Sequence, residues 1–335
     1  MAVTADRAKW RVLLLTVAVG AAGVITAGAV GAWLWVGSAK DSGACQKQLL
    51  ADKRVRSALG AEYRSDLSCP ALGAAVKHVT MGTTPGKHTL QQARAMQNLL
   101  TAVDDTVGTG DRTVDPALAV PLAQALADYA DDTDQILTSV NVDYIRADTS
   151  STSPWQDRTG VHMSMSVDTV LHVVRAVSDS PEAYATVRDA ATRQAAADLA
   201  ATPVTAGKET LTLRAKLCGR VLGSLDGVAE KVTGSVGRTG ARKWGGDVAT
   251  RLSAHASAPP AYGQDPAGHL IDSWKQELKG VDAADALARL EAQSMDMSRI
   301  WGKALGADGG LQDSLAYGSR DNAASARSDA LDTLR

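Results

Sequence analysis

Phenylalanine is absent from the 335-residue sequence, and aromatic residues of all kinds make up only 4% of it. Stretches in which apolar and polar residues alternate, the pattern of half-buried strands, are also scarce. Alanine stands where bulkier side chains would be expected, so a core can form only where helices approach one another closely. These features predict an all-α protein, an irregular helical bundle with little or no sheet.

The sequence also lacks an excess of basic or of acidic residues. The 35 basic and 37 acidic side chains leave a formal net charge of −2. A protein that binds nucleic acid through its phosphates presents a basic surface. Because the charges balance, we expect no nucleic-acid partner.

Charge is entirely absent from residues 12–36, which read VLLLTVAVGAAGVITAGAVGAWLWV. A helix needs about 20 apolar residues to cross a membrane, so this run predicts one amino-terminal transmembrane helix in a lipid bilayer. Trp10 precedes it, and Trp33 with Trp35 lies at its end, where indole rings prefer the membrane interface. A cleaved signal peptide is the alternative, but its apolar region would be shorter, about 7–15 residues.

Small residues recur within this run at Gly23, Ala27 and Gly31. Small side chains four residues apart allow two membrane helices to pack closely. A weak homodimer through this face is therefore one expectation, although an Ala- and Gly-rich run also produces such spacing by chance.

The basic residues around the run bear on its orientation. Arg7, Lys9 and Arg11 precede it closely, which favours a cytoplasmic amino terminus. Basic residues follow it as well, so the count alone does not decide. The predicted order is a short cytoplasmic tail (1–11), the transmembrane helix (12–36), a stalk with a small cysteine-containing helical segment (37–88) and an extracytoplasmic helical domain (89–335) at the cell membrane.

The three cysteines support the same orientation. Cys45 and Cys69 lie soon after the run and belong to no CxxC pair, so a disulfide between them is plausible in an oxidising compartment. Two unrelated buried thiols are the alternative. Cys218 falls on an apolar helix face and is interpreted as a small buried thiol.

Two helix-packing features stand out farther along the chain. Gly219, Gly223 and Gly227 are spaced four apart in a helix, and each costs about 0.5–1 kcal/mol relative to alanine. Together they predict a site where another helix approaches very closely. Ser180 is expected to cap a helix that packs antiparallel on the preceding one, with Tyr184 as its large inward side chain.

Sequence motifs for chemistry are absent. The six histidines form no zinc-binding pair, and no GxSxG or GxxxxGK[ST] motif occurs. The acidic group Asp128, Asp131, Asp132 and Asp134 lacks the pattern of a calcium loop and is interpreted as a solvated face, with loose cation binding as the minor alternative. His172 is likewise expected on a solvated face. We therefore predict no catalytic residue, cofactor or metal site.

Three blocks carry a resemblance to a known group of proteins. They are LADYADDTDQIL (126–137), LHVVRAVSDSPEAYATVRDA (171–190) and LCGRVLGSLDGVAEK (217–231). In this order they resemble the helical region of actinobacterial proteins of unknown function linked to WXG100-type, type VII secretion systems, over about residues 85–310. The resemblance implies a helical fold and no catalytic residues. The chain departs from it by beginning with an apolar run rather than a WXG hairpin.

Three functions are compatible with these features. The first is a non-enzymatic, membrane-tethered interaction module of the cell envelope or of a secretion-related system, with a protein partner still to be identified. The second is a helical effector or toxin-like protein associated with type VII secretion. The third, an envelope enzyme, is disfavoured by the missing motifs.

Overall fold

Helices make up nearly all of the regular structure in the computed structural model, which describes residues 45–108, 112–144, 153–203 and 205–335. The all-α prediction is confirmed for these residues. The helices are α1 (Lys47–Ala51), α2 (Lys53–Leu59), α3 (Cys69–Thr80), α4 (Leu90–Val107), α5 (Pro116–Asp128), α6 (Ala130–Thr138), α7 (Val167–Val177), α8 (Pro181–Ala200), α9 (Lys208–Ser235), α10 (Gly237–Ser253), α11 (Pro266–Leu278), α12 (Ala286–Ala304) and α13 (Gly309–Thr333).

Two short elements accompany the helices. A single 3₁₀ turn covers Gly60–Glu62, and the strands β1 (Trp155–Gln156) and β2 (Val161–His162) form an antiparallel pair. The turn between Asp157 and Gly160 closes this hairpin through a hydrogen bond from the Asp157 amide to the Gly160 carbonyl.

Helix starts follow the local sequence closely. Ser180 caps α8 by accepting a hydrogen bond from the Ala183 amide, and Pro181 occupies the first helical position. Thr89 and Gln92 form a capping box at the start of α4. These starts lie where serine or threonine precedes a helical pattern, which is why the sequence predicts them.

α5 contains a proline, Pro121, in its interior. α5 begins at Pro116, and Asp115 caps it, so Pro121 lies inside the helix rather than in its first turn. Gly73 of α3 makes room for the proline ring, since a Cβ at Gly73 would lie 2.6 Å from Pro121 Cγ. The chain then breaks at Tyr129, whose backbone leaves the helical region, and α6 follows as a separate helix.

Two carboxy-terminal segments are helical although their local sequence favours a helix only weakly. Most of the glycine-rich basic stretch 233–246 forms the start of α10, where the Trp244 indole is buried and donates a hydrogen bond to the Ser178 carbonyl. The weakly patterned tail forms the long helix α13, which packs along α9. Burial against neighbouring helices outweighs the low helix propensity of these glycines.

Packing around α8 departs from the simple hairpin that the sequence suggests. α7 and α8 are joined by the tight turn at Ser178–Ser180, but α8 lies mainly against α5, α10 and α11. The stripe of Val170, Val174 and Val177 is fully buried in the same core.

The amino-terminal helices belong to the same body. Leu50, Val55 and Leu72 are buried in one core together with side chains of α4 and α5, and the described residues form a single compact unit.

Among the described residues, no helix is both long and apolar enough to cross a bilayer. The uncharged run 12–36 lies outside the described residues. So do the predicted interface residues and dimer face, namely Trp10, Trp33, Trp35, Gly23, Ala27 and Gly31.

Candidate functional site

The acidic group on α5 and α6 is mostly buried. Asp132 and Asp134 are 3% and 5% exposed, the Asp128 side chain is enclosed as well, and only Asp131 faces solvent. The interpretation of these four residues as a solvated face is therefore wrong for three of them. Each buried carboxylate has a different environment, and the differences define what the region can do.

Asp128 fastens a loop. Its carboxylate lies 2.9 Å from His88 Nε2 and accepts a hydrogen bond from the Gly86 amide. The His88 ring stacks on Tyr129 with centroids 3.7 Å apart. Burial lowers the pKa of His88 despite the neighbouring carboxylate, so the imidazole is neutral and the contact is structural.

Asp132 anchors the β1–β2 hairpin to α6. Its Oδ1 lies 3.0 Å from His162 Nδ1, and its Oδ2 accepts a hydrogen bond from the Met163 amide. The hydroxyl of Tyr144 lies 2.9 Å from the same ring nitrogen. Burial disfavours the imidazolium, but the hydrogen bonds and charges of Asp132 and Asp157 outweigh burial and raise the pKa of His162.

At its other ring nitrogen, Nε2, His162 has part of the geometry of a hydrolase triad. Thr159 Oγ1 lies 2.8 Å from His162 Nε2, so a hydroxyl, an imidazole and a carboxylate follow one another. The threonine hydroxyl, however, donates to Asp157 Oδ1 at 2.6 Å within the hairpin turn. Its proton is committed to a carboxylate, so it is not held toward the imidazole as a catalytic triad requires. The arrangement therefore secures the turn.

Metal binding has one candidate set in the part of the chain that the structure describes. Asp131, Asp132 and His162 place one potential ligand atom each within 4.8 Å of one another. Asp132 and His162 are hydrogen-bonded to each other, and Gln194 donates to Asp131. A cation would have to replace these hydrogen bonds, so the cluster favours its present structural role.

Asp134 is the carboxylate without a protein partner. It lies on a small cavity of about 40 Å³ between α6, α8 and α9, together with Asp198, Arg214 and Cys218. No described residue donates a hydrogen bond to it. Burial, reinforced by the charges of Asp198 and Asp131, raises its pKa well above the usual value. An unpaired buried carboxylate is costly unless a counter-charge is supplied.

Two exposed apolar side chains, Val140 and Leu213, lie on or next to residues that line this cavity. Val140 lines it and is 58% exposed. Leu213 is 53% exposed and lies one helical turn before Leu217, which lines the cavity from the same face of α9.

Cys218 contributes packing rather than reactivity. It is 4% exposed and lies on the apolar face of α9. Burial raises the pKa of its thiol, so the reactive thiolate is not formed at neutral pH.

The other residues singled out in the sequence lie apart from this cavity. Cys45 and Cys69 form a disulfide with their Cα atoms 4.6 Å apart, as predicted. Gly219 and Gly223 face the backbone of Ser319 and Ala323 on α13, and Gly227 faces Ala330 and Arg327. Tyr184 is fully buried. His172 is not on a solvated face, because its Nδ1 lies 2.7 Å from Asp104 in a partly buried contact.

One buried polar network was missed by the sequence interpretation. Arg188 is fully buried and donates to Asp226, Tyr184 and Gln293. It also donates to the Leu290 carbonyl. A charged residue on an otherwise alanine-rich inward face was the available signal, and the missing information was its partner 38 residues away.

Comparisons with known proteins add no relative. No protein-family model matches the chain, and no curated protein and no solved structure is similar to it.

Proposed function

We propose that the protein is a non-enzymatic interaction module, held on the outer face of the cell membrane by residues 12–36 and acting through its helical body. The Cys45–Cys69 disulfide is the observation that supports this best. Disulfides persist in oxidising compartments and are rare in the cytosol. Cys45 follows the uncharged run directly in sequence, so the oxidised bond and the orientation favoured by Arg7, Lys9 and Arg11 agree.

The side chains with catalytic potential support the non-enzymatic part of the proposal. His162 is hydrogen-bonded on both ring nitrogens within its hairpin. Cys218 is a buried neutral thiol. By contrast, the cavity at Asp134 places a buried carboxylate that has no hydrogen-bond donor among the described residues beside exposed Val140, which suits binding rather than bond-making.

Topology can be tested in intact cells whose wall has been removed. Epitopes are placed at both ends of the full chain, and protease is added from outside. We expect loss of the carboxy-terminal epitope and digestion beyond Lys40, with a cytoplasmic protein left intact as the control. A fully protected body would contradict the proposal.

The interaction role needs a second measurement. Cross-linking of the native membrane protein followed by mass spectrometry should yield reproducible links between the body and one protein partner. The links should concentrate on one continuous surface of the helical body. Links confined to other copies of the chain, or scattered over the whole surface, would contradict a dedicated partner.

A further inference from the structure

We infer that the cavity at Asp134 receives a basic side chain, lysine or arginine, presented between apolar residues by a segment of the protein partner. The inference rests on the proposed interaction function and assigns its chemistry. The occupant is a cation because the cavity offers negative charge and no hydrogen-bond donor to the most buried carboxylate.

The charges around the cavity favour this occupant. Asp134 is buried and without a hydrogen-bond donor, and Asp198 lines the same cavity. α6 ends at Thr138 and α8 ends at Ala200, shortly after these two carboxylates. The last turn of a helix carries partial negative charge, so both helix ends add to the attraction for a cation.

Arg214, the protein's own basic side chain at this cavity, does not form an ion pair with Asp134. Arg214 lines the cavity and its charge acts on both carboxylates, but its side chain is exposed and forms no ion pair with either of them in the described part of the chain. An incoming cation therefore finds Asp134 unpaired.

Size and surroundings point to a side chain rather than to a large ligand. A cavity of about 40 Å³ has room for one charged head group and excludes rings and cofactors. Exposed Val140 lines the cavity, and exposed Leu213 directly precedes the cavity-lining Arg214 in α9. Val142, 76% exposed, follows Val140 by two residues. The aliphatic stem of a lysine or arginine packs on apolar surface. These apolar side chains could therefore contact both the stem of the incoming basic residue and the apolar residues beside it in the partner segment.

A phage-displayed library of random dodecapeptides tests the inference. The library is selected on the full chain in detergent, on its Asp134→Asn variant and on an Asp131→Asn variant. The last is a matched control, because it makes the same change on the exposed side of the same helix. We expect the wild type and Asp131→Asn to enrich peptides with a basic residue between apolar residues, and Asp134→Asn to lose this enrichment.

Synthetic versions of the best peptide give the quantitative result. Loss of one partner of a buried charge pair weakens binding at least about ten-fold, so Asp134→Asn and replacement of the peptide's basic residue by norleucine should each do so. Asp131→Asn should stay within about two-fold, because exposed charges contribute little. Arg214→Ala should retain or strengthen binding.

Several results would overturn the inference. These are a consensus without a basic residue, equal enrichment on Asp134→Asn, or undiminished affinity of the norleucine peptide. A rise in melting temperature with calcium or magnesium that Asp134→Asn abolishes would assign the cavity to an inorganic cation instead. The topology and cross-linking results are independent of these outcomes, so the interaction module can stand while this assignment fails.

Discussion

Arg188 Nη1 donates a hydrogen bond to Asp226 Oδ1 at 2.7 Å, in an environment where neither side chain reaches solvent appreciably. The same guanidinium also bonds to Gln293 and to the Leu290 carbonyl, so it joins α8, α9 and α12. Because each of its groups is matched, the network is stable only as a whole.

Removing one partner of this pair should be severe. Asp226→Ala leaves a buried guanidinium unpaired, and we predict a loss of about 3–5 kcal/mol in the free energy of unfolding. Arg193→Ala, which removes an exposed pair with Asp189 on the same helix, is the control and should cost less than about 1 kcal/mol. Chemical denaturation of the full chain measures both, and equal small losses would show that the buried network is not a source of stability.

The glycines of α9 should be intolerant where they meet α13. A Cβ at Gly223 would overlap the Ala323 backbone, so we predict that Gly223→Ala costs about 1–3 kcal/mol and Gly223→Leu more. Gly234 lies on the same helix with open space around it. Gly234→Ala should therefore leave the melting temperature unchanged or slightly higher. If both alanine variants melted at the same temperature, the two helices would not be packed as described.

Asp134 should destabilise the free protein at neutral pH. Its pKa is raised in the folded state, so the folded protein holds this proton more tightly than the unfolded chain does. Stability is therefore lost as pH rises from about 4, the unfolded pKa, through the folded pKa, and the loss persists at pH 7. We predict that Asp134→Asn raises the melting temperature by about 2 °C at pH 7, corresponding to about 1 kcal/mol. A lower melting temperature would mean that Asp134 has a partner in solution.

The contribution of His162 to stability should also fall as pH rises, but over a higher pH range than that of Asp134. The pKa of His162 is raised by Asp132 and Asp157, so its contribution is full below about 6.5 and is lost as pH rises through the folded pKa. NMR titration of the imidazole should give a pKa above 6.5, and Asp132→Asn should lower it. A value at or below 6.5 in the wild type would contradict an imidazolium held by these carboxylates.

Local features of the sequence predict the fold better than they predict the site. α4 (Leu90–Val107) can be read from the sequence, because a capping box starts it and glycine follows it. α10 cannot, because its glycines lower helix propensity and only burial of Trp244 and its neighbours compensates. Local patterns report caps and periodicity, whereas α10 depends on tertiary packing.

The candidate site depends on pairings that no local pattern contains. Asp132 and His162 are 30 residues apart, and the acidic string on α6 gave no sign that alternate members face different neighbours. The lack of a hydrogen-bond donor to Asp134 can be seen only in the three-dimensional structure. The Cys45–Cys69 pairing was predictable because the choice was among three cysteines.

The oxidation state of the cysteines tests the account most directly. Cells are quenched in acid, and the full chain is denatured and alkylated without reduction before mass spectrometry. We predict a linked peptide pair containing Cys45 and Cys69 and one alkylated cysteine, Cys218. Closure of this loop should contribute on the order of 3 kcal/mol. Alkylation of all three cysteines would place the body in a reducing compartment and contradict the extracytoplasmic interaction module.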